Sequence, residues 1–152
     1  MVLCYIYINC IGMLMVEAVL FDLHGTLAYV DNPVSDIEIS EYLFSRGYEV
    51  SPQQLKAACF FVSMIDYPRY GYKSWNSYFL RIFWRLNVKV DKETLNSIVK
   101  LLQDRPYRLY SDAAEAVVYA KQHGFKTAIA TTIAYFSLKR QLIQLKNTLT
   151  SS

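Results

Sequence analysis

The stretch Ala18-Val19-Leu20-Phe21-Asp22-Leu23-His24-Gly25-Thr26-Leu27 places a carboxylate, an imidazole and a hydroxyl directly after an apolar run. Asp22 is the candidate nucleophile, since a carboxylate that attacks an electrophilic centre splits one difficult step into two easier ones. The four apolar residues before it are rich in β-branched and aromatic types and predict a strand covered on both faces, as in parallel α/β sheets. Asp22 then leaves the sheet at its carboxyl edge, where open α/β sheets bind ligands. Gly25 lets the backbone come close to an anionic group, and Leu23 to Thr26 offer peptide N–H donors to it. His24 belongs to the residue type that moves protons near neutral pH, its ordinary pKa being about 6.5. The residues alone leave open whether it acts as acid and base or has no part in the chemistry.

A second element is needed to complete a site around Asp22. From Leu109 to Thr132 the chain predicts one helix and one strand. Ser111 or Asp112 caps the helix, and Ala113, Ala116, Val117 and Ala120 form its apolar stripe. His123 in the last turn suits the helix dipole, and Gly124 supplies the left-handed residue that ends the helix. Phe125 to Ala130 is then expected to be a second buried strand, ending in the hydroxyls of Thr131 and Thr132.

Four helices are predicted between these segments. A weak one covers Asp36 to Ser45. Ser51-Pro52-Gln53-Gln54 is a helix start with a capping Ser, Pro at the first position and Gln at the third. It leads into Leu55, Ala58, Cys59, Val62 and Ile65 on one face. Ser74 starts a third, with Trp75, Tyr78, Phe79, Ile82, Phe83 and Leu86 as an aromatic stripe, and Asp91 a fourth, with Leu95, Ile98, Val99 and Leu102. Arg81, Arg85 and Lys89 fall opposite the aromatic stripe and are expected to form a solvated face. Tyr67, Tyr70 and Tyr72 are expected to serve interhelix packing or to line a pocket.

The segment around Asp22 resembles the first motif of the haloacid dehalogenase (HAD) superfamily, Asp-x-Asp-Gly-Thr after a hydrophobic strand. Asp22, Gly25, Thr26 and Leu27 match; His24 stands where phosphatases of the family keep their acid/base Asp. Some relatives also lack that Asp, among them dehalogenases and phosphonate-cleaving enzymes. The resemblance implies an α/β fold, a HAD-like Rossmannoid parallel sheet, incomplete here, with an inserted helical cap. It implies that Asp22 forms an aspartyl intermediate and that Asp22 and the backbone carbonyl of His24 hold magnesium. Gly25, Thr26, Thr131 and Thr132 would bind the phosphoryl group, Thr131 matching the second motif. The core is expected over 15–32 and 109–152, the cap over 33–108, closing over Asp22 and excluding water, and 1–14 as an extension outside the fold. The likeness covers two motifs and the cap. A basic motif and an acidic motif do not follow, and Lys139 and Arg140 have no third strand to place them. The expectation is a truncated or frameshifted reading frame, with Met13 or Met15 as the natural start.

The 152 residues are 53% hydrophobic, without repeat or low-complexity region, which fits one domain plus a cap. A net charge of +3 is far below a nucleic-acid-binding footprint. The uncharged N-terminal stretch lacks a basic n-region, against a signal or membrane span. Cys4, Cys10 and Cys59 lack metal-ligand spacing and suit a reducing cytoplasm. The expected function is hydrolysis of a small-molecule phosphate ester, with no nucleic-acid or membrane partner and a homodimer left open. The other readings are an inactive remnant or interaction module and a metal-independent dehalogenase that attacks carbon.

Overall fold

The computed structural model describes residues 3–5, 8–10, 13–15 and 17–131. Thr132, Lys139 and Arg140 lie outside the described residues. Among the described residues the chain divides into two compact units, one of residues up to Asp31 together with 107–131, the other Asn32–Pro106.

The first unit is mixed α/β. Its sheet has the order β1-β4-β7, with β1 Leu3–Tyr5, β4 Ala18–Phe21 and β7 Lys126–Ile129. β4 and β7 run parallel, Ala18 opposite Lys126 and Phe21 opposite Ile129. Leu3–Tyr5, set apart by the sequence as an extension, pairs antiparallel with β4. β2 (Ile8–Cys10) and β3 (Met13–Met15) form an antiparallel pair. A further ribbon joins β5 (Ala28–Val30) to β6 (Tyr107–Leu109). The two strands flank the second unit in sequence.

Two strand expectations need correction. β4 is not evenly covered: Val19 and Phe21 are buried while Ala18 and Leu20 are half-buried. β7 has no buried residue, Thr127 being half-buried. Lys126, Ala128 and Ile129 are exposed, because among the described residues β7 pairs on one side only. The helix before it, α6 (Ala113–Gln122), is likewise not capped by a side chain. Asp112 occupies the cap position in helical backbone and makes no capping bond, and the Ala113 N–H instead donates to the carbonyl of Tyr110 at 3.1 Å. Gly124 ends the helix at φ +79° as expected.

The second unit is helical: α1 (Asp36–Ser45), α2 (Pro52–Phe61), a π-helical turn (Val62–Asp66), α3 (Tyr67–Tyr70), α4 (Trp75–Arg85) and α5 (Lys92–Gln103). Ser51 and Gln54 form the reciprocal capping box, and Ser74 and Asp91 cap α4 and α5. Leu43, Leu55, Val62, Phe79, Ile82, Phe83, Leu95 and Ile98 are part of one core.

The π turn changes the face that the sequence predicts. A π turn takes an extra residue, so the inward position one turn after Val62 falls on Asp66 and not on Ile65. Asp66 is 3% exposed and Ile65 41%. A buried carboxylate requires partners. Arg81 Nε donates to Oδ2 at 2.7 Å, and Arg85 donates through Nε to Oδ2 and through a terminal nitrogen to Oδ1, both at 2.9 Å. The expected solvated face of α4 is therefore in part an ion-pair face that ties α4 to the π turn. Tyr72, between α3 and α4, packs against both Tyr67 and Tyr78, while Tyr70 is 66% exposed beside the Arg81 guanidinium.

Candidate active site

Asp22 is the first residue after β4. Because Phe21 lies opposite Ile129 in parallel register, Asp22 and the residues after Ile129 emerge from the same sheet edge. The Ala130 N–H donates to the Phe21 carbonyl at 2.9 Å, which carries the pairing one residue further. Thr131 thus follows the paired strand at the edge that Asp22 leaves, while Thr132 is outside the described residues. Among the described residues the Asp22 carboxylate has no hydrogen-bond or ion-pair partner, and it is half-buried.

The turn after Asp22 is held from within. The carbonyl of Leu23 accepts from the N–H of Leu27 at 3.0 Å and of Ala28 at 2.8 Å, and Leu23 itself is fully buried. Burial anchors the turn while Asp22 and Thr26 stay half-buried and His24 and Gly25 exposed. Gly25 has φ +82°, a left-handed conformation that glycine adopts without a Cβ penalty. Its N–H is already given to the Ala28 carbonyl at 2.8 Å. Gly25 therefore shapes the turn, and its amide is not among the donors left for a ligand. The N–H groups of Leu23, His24 and Thr26 have no backbone partner among the described residues.

His24 meets a residue that the sequence reading did not single out. The hydroxyl of Tyr107, the first residue of β6, lies 3.4 Å from His24 Nδ1, and the two rings meet edge-on. Burial raises the Tyr107 phenol above its ordinary range. The alternation of Tyr107, Arg108 and Leu109 between apolar and charged after Pro106 was the available signal for this strand. His123 is a helix-end residue, with Nδ1 2.9 Å from the carbonyl oxygen of Tyr119.

Magnesium takes near-octahedral oxygen ligands and is commonly held by carboxylates, water and substrate phosphate. Among the described residues no three His, Cys, Asp or Glu side chains gather. Asp22 and the His24 carbonyl would supply two of those oxygens, with water and the substrate phosphate supplying the rest. No described helix is long and apolar enough to cross a membrane.

No protein-family model matches the chain, and no curated protein matches it. Among solved structures, one that it resembles is the crystal structure of a predicted phosphoglycolate phosphatase from Haemophilus somnus 129PT, at 17% identity and a TM-score of 0.38. The match covers 79% of this chain and 53% of that one, so the chain spans about half the length of that structure. An overlap at that TM-score does not establish a shared fold.

Proposed function

We propose that the chain is a HAD-like hydrolase that transfers the phosphoryl group of a small phosphate ester to Asp22 and then to water. The observation that carries this reading is Asp22, unpartnered among the described residues, at the carboxyl edge of a parallel strand pair and before a left-handed Gly25 turn. The motif resemblance around Asp22, Gly25 and Thr26 supports it independently.

In the first step an Asp22 carboxylate oxygen attacks phosphorus, the bond to the leaving oxygen breaks, and protonated His24 gives that oxygen a proton. In the second a water oxygen attacks the aspartyl phosphate, the bond to Asp22 breaks, and His24 takes up the proton. Amides of the turn and the Thr131 hydroxyl hold the phosphoryl oxygens, where fixed donors stabilise charge that grows in the transition state. The helical unit acts as the cap that carries substrate selectivity.

The test is phosphate release from an aryl phosphate and from sugar phosphates, with and without magnesium, by the wild-type chain and by Asp22→Asn. Release that Asp22→Asn abolishes supports the reading; equal release by both proteins, or by neither, overturns it. The N–H groups of Leu23, His24 and Thr26, without backbone partners among the described residues, equally suit a second reading, metal-independent attack of Asp22 on carbon with loss of halide. Halide release from a 2-haloacid, abolished by Asp22→Asn, identifies it.

A further inference from the structure

His24 presents only one of its ring nitrogens to Tyr107, and this asymmetry has chemical meaning. Tyr107 opens β6 opposite Val30, within the same compact unit as His24, and its oxygen stands 3.4 Å from Nδ1 with ring centroids 6.1 Å apart. Tyr107 is half-buried and His24 exposed, and the contact with the ribbon is made on the Nδ1 side of the imidazole. A neutral phenol oxygen both donates and accepts hydrogen bonds.

We propose that Tyr107 is a positioning residue for His24, its oxygen accepting the Nδ1–H so that Nε2 is the nitrogen through which protons pass. This rests on the hydrolase reading above. A histidine that gives a proton to a leaving group and later takes one from water uses a single nitrogen for both, and a partner on the other nitrogen fixes which one. With Nδ1 engaged, loss of the Nε2 proton leaves the neutral Nδ1–H form, ready to accept again at Nε2.

His123 provides an internal standard. A carbonyl oxygen only accepts, so the contact of His123 Nδ1 with the Tyr119 carbonyl makes that ring an Nδ1–H tautomer as well. The chain has two histidines, so both rings are read in one spectrum.

The experiment is nitrogen-15 NMR of the full chain labelled at histidine, at about pH 8.5, two units above the ordinary imidazole pKa. The expected result is His24 with a protonated-type Nδ1 and an unprotonated-type Nε2, matching His123. Tyr107→Phe keeps the ring and removes the oxygen. It should move His24 toward the Nε2–H form and leave His123 unchanged, which also reports that the unit is folded. A wild-type His24 in the Nε2–H form, or no response to Tyr107→Phe, overturns the proposal. The spectrum needs no substrate. An Nδ1–H His24 in a chain without turnover supports the Tyr107 role and overturns the hydrolase reading, whereas Asp22-dependent turnover with an Nε2–H His24 does the reverse.

Discussion

Replacing Gly25 by Ala isolates what the turn after Asp22 demands of the backbone. Its φ of +82° is disfavoured for residues with a Cβ, yet among the described residues an added Cβ there meets no atom within 4 Å. No steric clash contributes, so the whole cost is conformational, about 1–2 kcal/mol. With a urea m-value of about 2 kcal/mol per molar, the midpoint falls by about 0.5–1 M. Gly124 is a matched control, at φ +79° and also with open space around the missing Cβ, so Gly124→Ala should cost the same. Asn at position 25 should recover part of the loss, since Asn tolerates the left-handed region. Far-UV circular dichroism is the readout, because both tryptophans, Trp75 and Trp84, lie in the helical unit. A Gly25→Ala loss several-fold larger than that of Gly124→Ala, or no loss at all, refutes the conformational account.

Further outcomes follow from the packing and the charges. Asp66→Asn leaves Arg81 and Arg85 without their shared carboxylate, and tryptophan fluorescence should report a lower thermal midpoint for the helical unit. Arg85 and then Arg81 hold the Asp66 carboxyl below the usual carboxylate range, and the Thr94 N–H and hydroxyl do the same for Asp91. A depressed folded pKa stabilises above the unfolded value of about 3.9 and loses that contribution as pH falls below it, so an acid titration should spare the unit above that point and weaken it beneath. Burial pushes the Cys59 thiol up to about 12, so mass spectrometry should find it slow to alkylate in the native protein and fast in urea. Leu23→Ala empties a fully buried site under the turn and should cost about 2–5 kcal/mol in urea unfolding.

The helices were legible because their signals are local. The capping box at Ser51 and Gln54, the caps at Ser74 and Asp91 and the stripe of Phe79, Ile82 and Phe83 each depend on neighbours within one or two turns. The strands β4 and β7 were read from two apolar runs that end in polar groups, and their parallel sheet is what the HAD resemblance implied. What escaped the sequence was non-local or a change of period. The π turn shifts the inward position to Asp66, and only a carboxylate with two arginines 15 and 19 residues away settles there. The exposure of β7 depends on how many strands flank it, and the β5–β6 ribbon joins residues far apart in the chain, which is why Tyr107 was not placed beside His24. Asp22 and Gly25 were named from types and spacing and Thr131 from the resemblance, while the engagement of the Gly25 N–H by the Ala28 carbonyl is a matter of turn geometry that spacing does not contain.

The central claim is that Asp22 becomes covalently phosphorylated. The direct measurement is peptide-mapping mass spectrometry of the full chain quenched in acid after incubation with acetyl phosphate or an aryl phosphate, run beside Asp22→Asn. The account predicts a phosphoryl group on Asp22, lost in the variant and discharged by hydroxylamine as an acyl phosphate is. A phosphoryl group on another residue, or none on Asp22 while phosphate is released, contradicts it.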